Sequence, residues 1–372
     1  MSAVIVAARR TPIATAGRAL AAYSAADLGA AALQAVCRDL TALVPRPPAE
    51  IVLGNCMGPG GNVARVAALQ AGLPWETGAL TIDRQCASGL SAIELAARLV
   101  ADDHWPVLAG GTESASTAPW RCWPPADGAG PVRYERAPFA PPPLDVDMGL
   151  AADLLAEDAG VSRERQDAYA ARSHALAVAA AASGEYAAEL VPLPELLADD
   201  RPRAGLSPDK LGRFGPIFRP NGTVTVGNSC PISDGAAVVA VVPETSGLPG
   251  LRVLAAASAG VDPTRPGLGI VPAVRVALGR AGLTLDDVDV IEFNEAFAGQ
   301  VLGCCDALAL DPERVCRSGG ALALGHPWGA SGAVLVTRLF TQLVRQGRGR
   351  VGLAAIAAGG GQGTALVVEV VG

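Results

Sequence analysis

Apolar residues in this chain fall into short continuous runs that alternate with stretches of helical period. Residues 4–8 read as a buried strand. Residues 25–40 predict a helix, with Ser24 placed to cap it. Residues 51–53 predict a strand closed by Gly54-Asn55, and residues 62–71 an alanine-rich helix. Ala79, Leu80 and Ile82 make another short strand. It runs into Asp83-Arg84-Gln85-Cys86-Ala87-Ser88-Gly89-Leu90, and a helix follows, marked by Ala92, Ile93, Leu95, Ala96, Leu99 and Val100. Residues 106–109 return as a strand ending in Gly110-Gly111. Strand alternating with helix predicts an α/β fold on a largely parallel sheet.

Between residues 119 and 143 the periodicity is lost and Pro, Gly, Trp and Arg dominate. Residues 148–159 and 162–183 are helical, with Arg163, Glu164, Arg165 and Asp167 expected on a solvated face. Residues 192–220 are irregular again, so 119–224 reads as an inserted subdomain that covers something. Regular structure is expected to resume at 223–226, and 236–242 suits a buried strand. The last third predicts strands at 253–257, 288–293, 351–357 and 364–371. Helices are expected there at 270–281, with Gly282 as C′ residue, and at 296–308 and 333–343. An internal echo joins the two ends. Ala87-Ser88-Gly89 and Ala330-Ser331-Gly332 each open a helix, and Ala109-Gly110-Gly111 and Ala358-Gly359-Gly360 each close the following strand. Either the domain is duplicated, with a site between facing helix starts, or an Ala- and Gly-rich chain repeats by chance.

Composition narrows the function. The 372 residues are 50% hydrophobic and 17% charged, enough for a large core in two or three domains. A net charge of −7 and a pI of about 5.1 give no electrostatic case for nucleic acid. None of the eight cysteines has CxxC spacing, so neither a zinc site nor a thioredoxin-type site is indicated, and a reducing cytoplasm is the expected home. No apolar run approaches membrane-spanning length, and residues 3–8 are too short for a signal peptide.

Three segments carry candidate chemistry. Cys86 is expected at a helix N-terminus, where unpaired N–H groups favour thiolate; the bland alternative is a core cysteine. Gly325-His326-Pro327 sits on a turn before a helix, among small residues (Gly319, Gly320, Gly329) that give a ligand room, so His326 can be a base. Of the other histidines, His104 lies in a polar, solvated turn and His174 on a charged helix with no obvious task. In Asn294-Glu295-Ala296-Phe297 the amide can orient a water or bind a carbonyl oxygen, or merely cap a helix. Gly359-Gly360-Gly361-Gln362-Gly363 is followed by a strand-like run, so it is not a phosphate loop; bare N–H groups there suit an oxyanion.

Together these motifs resemble the thiolases, over essentially the whole chain. Ala109 to Ser114, Met148-Gly149, Gly222 to Thr225, Gly227-Asn228-Ser229 and Asp234 to Ala237 look like further family landmarks. The resemblance implies a five-layered αβαβα fold of two βαβαβαββ halves, at 1–118 plus 225–248 and at 249–372, with a loop domain inserted at 119–224. It implies a homodimer or homotetramer, and a coenzyme A thioester as substrate with no tightly bound cofactor. Cys86 then takes up the acyl group. His326 activates it and, with a water on Asn294, binds a thioester oxygen, while the N–H groups of Cys86 and Gly359 hold the second oxyanion. Met148, Phe297, Ala255 and Gly215 fall at coenzyme A contact positions.

Departures from the family pattern matter as much. Ala357 stands where thiolases have a second cysteine for proton exchange, so ordinary condensation or thiolysis should be severely slowed. Gly215 replaces a basic residue, and Ala255 a serine of the pantetheine site, which permits an acyl-carrier protein as thioester carrier. Three readings follow. The chain forms C–C bonds by Claisen chemistry, its carbanion coming from decarboxylation; or it moves an acyl group to an amine, an alcohol or water; or it is a non-catalytic subunit.

Overall fold

A computed structural model describes residues 3–100, 105–125, 128–134 and 136–372; the expected solvated turn at His104 lies outside them. The chain opens with β1 (Ala3–Arg10), β2 (Ala14–Thr15), α1 (Ala25–Thr41), β3 (Glu50–Gly54), α2 (Val63–Gln70), β4 (Gly78–Ile82), α3 (Ser88–Leu99) and β5 (Val107–Glu113). It leaves the sheet for a hairpin, β6 (Arg121–Trp123) and β7 (Val132–Tyr134), and for α4 (Met148–Asp158), α5 (Arg163–Ala182) and the single turn α6 (Pro208–Leu211). It re-enters at β8 (Ser233–Pro243) and continues through β9 (Gly250–Gly260), α7 (Ile270–Ala281), β10 (Val290–Phe293) and α8 (Ala298–Leu308). A short α9 (Ala321–Leu324), α10 (Trp328–Phe340), β11 (Val351–Ala358) and β12 (Gln362–Val371) complete it.

Local signals explain where the helices begin. At α1 the Ser24 hydroxyl accepts from the Asp27 N–H, and the Asp27 carboxylate accepts from the Ser24 N–H. Gly282, left-handed at φ 71°, ends α7 as its sequence position predicts.

The strands order as β10-β11-β12-β9-β1-β8-β5-β3-β4, with β2 paired to β8. β1 and β9 meet over only two residue pairs, Val4 with Arg252 and Ile5 with Leu251. That narrow joint links two sheet portions into one. Helices α1 and α2 pack on the outer face of the first portion, and α7 and α8 on the outer face of the second. Between the portions lie α3 and α10, packed on each other and on strands of both. The result is a five-layered α/β arrangement with three hydrophobic cores, one on each side of the central helix pair and one around it.

The sheet is mixed rather than largely parallel. Among the described residues only β3–β4, β3–β5 and β10–β11 run parallel. A short turn joins β8 to β9, a glycine turn joins β11 to β12, and β8 returns antiparallel to both β1 and β5. The β8–β9 and β11–β12 connections hold no crossover helix, and the long segment between β5 and β8 returns the chain antiparallel although it carries α4, α5 and α6, so strand–helix alternation does not give parallel pairing there.

The central helices touch because glycines let them. A side chain at Gly89 would come within 2.8 Å of the Gly329 carbonyl oxygen, and one at Gly332 within 2.7 Å of the Leu90 Cβ. These glycines belong to the two echoed tripeptides or lie beside them. The repeated Ala-Ser-Gly thus marks two helix starts that face each other.

Two local expectations fail. Residues 223–226 form no strand; they make a turn held by the buried Asp153 carboxylate, which accepts from the Thr223 N–H (2.6 Å) and the Val224 N–H (3.0 Å). Asp167 is not on a solvated face. It is buried, accepting from Arg163 Nε (2.7 Å) and from the Asn228 amide (3.0 Å), because the loop after α6 folds over that side of α5.

Candidate active site

Cys86 lies in a tight turn between β4 and α3. Gln85 before it is left-handed, at φ 49°. The Asp83 carboxylate accepts from the Gln85 N–H at 2.6 Å. The Ser88 hydroxyl donates to the Gln85 carbonyl (2.6 Å) and accepts from the Arg84 N–H (2.8 Å). Helix α3 starts only at Ser88, so Cys86 stands just ahead of the helix rather than in its first turn. Burial pushes the Cys86 thiol up to about 12, although the N–H groups of Cys86 itself and of Gly359 act on it in the opposite sense. The resting group is therefore a thiol, not the thiolate that a helix N-terminus suggests. Those two backbone N–H groups are the ones that favour charge on the sulfur.

His326 follows α9 and is buried. Its N–H donates to the Ser233 hydroxyl (3.2 Å) and the Pro231 carbonyl (3.3 Å), which pins the turn to the segment before β8. The ring is held at both nitrogens: Nδ1 lies 2.6 Å from the Ser331 hydroxyl and Nε2 lies 3.4 Å from the Asn294 amide nitrogen. An amide nitrogen only donates, so Nε2 accepts and Nδ1 carries the proton toward Ser331. Burial pushes the imidazole down to about 4, so it is neutral, and Nε2 takes a proton by giving up its 3.4 Å contact with the Asn294 amide.

Asn294 does not cap a helix, since α8 begins at Ala298. Its N–H donates to the Ala355 carbonyl (2.9 Å) and its side chain serves His326. Glu295 is buried beneath this turn, accepting from Tyr169 Oη (2.9 Å), Ser173 Oγ (2.7 Å) and the Leu322 N–H (3.1 Å).

Cys86, His326, Gly359, Met148 and Phe297 all line one cavity of about 810 Å³, and Ala357 lines it too. Asn294 is buried and not on the wall, but its amide meets the His326 ring, which is. Ala255 and Gly215 are not brought there. Ala255 is buried within β9, paired with Val367, and Gly215 is solvent-exposed. The glycines around His326 make room for protein rather than ligand: a side chain at Gly320 would meet the Glu295 carboxylate and one at Gly329 would meet Asn55. The segment between β5 and β8 roofs the cavity with Phe139, Ile217 and Phe218.

Sequence reasoning missed several residues here. Ser331, which orients the imidazole, sits inside the echoed Ala-Ser-Gly and one turn after His326, a signal that was present. Cys56 and Cys230 also face the cavity, and nothing in their spacing says so. Glu113 is a hidden support. Its buried carboxylate accepts from the Asn55 side chain and from the N–H groups of Cys56, Met57 and Gly329, tying the end of β5 to the start of α10. His174, assigned no task, is buried with Nδ1 accepting from the Arg203 N–H at 3.2 Å.

A nucleophile, a neutral base and paired N–H donors in one roofed cavity suit acyl transfer. Comparison with known proteins agrees. The N-terminal thiolase domain matches residues 3–245 and the C-terminal thiolase domain residues 249–370. The chain belongs to the thiolase family. The acetyl-CoA acetyltransferase of Pseudomonas aeruginosa is 40% identical, with 98% of each chain covered. The crystal structure of the Bacillus anthracis acetyl-CoA acetyltransferase superposes with a TM-score of 0.91 at 35% identity, covering 100% of this chain and 99% of that one. Human mitochondrial 3-ketoacyl-CoA thiolase in complex with CoA superposes with a TM-score of 0.93 at 32% identity, covering 100% and 98%. This thiolase is thus an acyltransferase with the fold of those enzymes. Among its described residues, no helix is long and apolar enough to cross a membrane.

Proposed function

We propose that this thiolase forms an acyl-enzyme on Cys86 from a coenzyme A thioester and uses it for Claisen-type C–C bond formation. The observation that carries the reading is that Cys86, the neutral His326 ring and Gly359 line one cavity, where the N–H groups of Cys86 and Gly359 favour negative charge on the Cys86 sulfur. As the sulfur attacks the thioester carbonyl, its proton passes to Nε2 of His326. The new S–C bond forms, the carbonyl oxygen becomes an oxyanion, and its collapse expels the coenzyme A thiolate, which takes the proton back from His326. Both starting groups are neutral, so charge develops only while donors are aimed at it, which is where they lower the barrier.

The second half-reaction needs a carbanion. Ala357 on the cavity wall supports the decarboxylative route, since a methyl group exchanges no proton and loss of CO₂ generates the carbanion without a base. A carrier-protein thioester and a homo-oligomeric assembly belong to the same proposal.

Intact-mass spectrometry after mixing with acetyl-CoA tests the first step. The expected result is one acetyl adduct, absent in Cys86→Ser. No adduct with any acyl thioester refutes the reading and leaves a non-catalytic subunit. CO₂ release from malonyl-CoA with a β-ketoacyl product supports the decarboxylative route, whereas an adduct that discharges only to water or amines overturns C–C bond formation.

A further inference from the structure

Three arginines line the cavity; among the described residues one is ion-paired and a second donates a terminal nitrogen to backbone carbonyls. Arg136 Nη1 pairs with the Asp145 carboxylate at 2.8 Å. Arg121 Nη2 donates to the carbonyls of Cys56 (3.2 Å) and Gly58 (3.4 Å). Arg201 is different. It comes from the loop between α5 and α6, it is mostly buried, and among the described residues it forms no ion pair. Its only hydrogen bond there is a long one from Nε to the Leu322 carbonyl, at 3.4 Å. The terminal nitrogens of the guanidinium donate to nothing among the described residues.

The neighbouring acids are spoken for. Asp199 is bound to the buried Arg10 (2.7 Å) and to the Ile13 N–H (2.8 Å). Asp200 accepts from the Thr15 N–H at 3.2 Å. The charge of Asp200 attracts Arg201 without forming an ion pair with it, while Arg203 adds a second positive charge to the same corner. Arg201 opposes protonation of His174, alongside burial, and it favours the thiolate of Cys230. Arg201, Cys230 and the acyl-carrying Cys86 all line the same cavity. The remaining acids on the cavity wall, Asp83 and Asp147, hold N–H groups of their own turns.

A guanidinium left half-desolvated and unpaired is costly, and in a mostly apolar acyl cavity it rejects a plain hydrocarbon chain. Its flat fork of donors matches one ligand group best, a carboxylate taken bidentately. We propose that Arg201 recognises a carboxylate at the far end of the acyl chain, so that the preferred substrate is a coenzyme A monothioester of a dicarboxylic acid. The inference rests on acyl-enzyme formation at Cys86 and names its substrate class. The carboxylate is retained through the reaction: the acyl carbon exchanges its C–S bond to coenzyme A for one to Cys86, and the distant group stays paired with Arg201. A carboxylate that must leave as CO₂ is poorly served by such a pair, because the ion pair stabilises the charge that departure removes.

The experiment follows the rate of Cys86 adduct formation by intact mass with glutaryl-CoA and adipyl-CoA against valeryl-CoA and hexanoyl-CoA. The readout is the ratio of carboxylated to uncharged rates. The native protein is expected to favour the carboxylated chains by about 10-fold or more, and Arg201→Gln to lower that ratio by about 10–100-fold. Arg201→Lys is expected to restore part of it, since a point charge replaces the fork. A native ratio at or below one overturns the inference. So does a ratio unchanged in Arg201→Gln, including the case where both rates fall together through a structural effect. If uncharged thioesters acylate Cys86 and carboxylated ones do not, the substrate class alone is refuted. If no thioester leaves an adduct, acyl-enzyme formation itself falls and takes this inference with it.

Discussion

Substituting alanine at Gly332 tests whether the contact between α3 and α10 sets the geometry of the site. The new Cβ would lie 2.7 Å from the Leu90 Cβ and 3.0 Å from the Leu90 Cα. Carbon atoms rest at about 3.5–4.0 Å, so the two helices must part by about 1 Å. Leu90 is fully buried and its backbone belongs to α3, so no flexible side-chain end can yield. Overpacking of this kind costs about 1–3 kcal/mol, offset by up to about 1 kcal/mol from the better helix propensity of alanine. Gly279 provides the control. It lies on the exposed side of α7, and a Cβ there meets nothing within 4 Å, so Gly279→Ala should stabilise by about 0.4–1 kcal/mol. The two variants should therefore move the urea midpoint in opposite directions. The activity readout is sharper. Cys86 leads into α3, and His326 with Ser331 leads into α10, so parting the helices by about 1 Å moves nucleophile from base. A misplacement of that size costs about 10²-fold, read as the rate of Cys86 acylation in single turnover under conditions where the variant is folded. If Gly332→Ala matches Gly279→Ala in both stability and acylation, the helix contact does not govern the site.

Two further predictions concern the histidines. With His326 pushed down to about 4, the base is ready at all higher pH, so the acylation rate should stay level from about pH 8 to pH 5.5 and fall only as pH drops toward 4; His326→Asn should lower the level part by about 10²–10⁴-fold. A fall centred near the ordinary histidine value of about 6.5 in stopped-flow profiles contradicts the buried neutral ring. His174 is likewise pushed down to about 4, chiefly by burial. The unfolded chain then binds a proton that the folded one refuses, so His174 supports the fold above about pH 6.5 and loses that support as pH falls toward 4. Between pH 7 and pH 5 the loss is about 2 kcal/mol, so denaturant titrations should show the native protein losing that much more stability than His174→Gln over the same interval.

The chain by itself determined the order and kind of most sheet strands and of the long helices, because buried strands and amphipathic helices write their periods locally. Ser24 and Gly282 marked helix ends for the same reason: caps are satisfied by residues a few positions away. Cys86, His326, Asn294 and Gly359 were legible as chemistry, since each is a reactive side chain or bare backbone at a strand–helix boundary. Only tertiary structure decided their state. The thiol is neutral because the layers around α3 bury it, which no neighbour in sequence reports. Asn294 turned from a possible cap into a partner of the imidazole because its N–H is fixed on the Ala355 carbonyl of β11 while the separate turn between α9 and α10 brings His326 against its side chain. Ala255 left the site because β9 is central to the sheet, and Arg201 entered the cavity from a loop more than a hundred residues away from Cys86. Local sequence carries periodicity and caps; burial, charge balance and the pairing of distant side chains arise only when separate segments exclude water together.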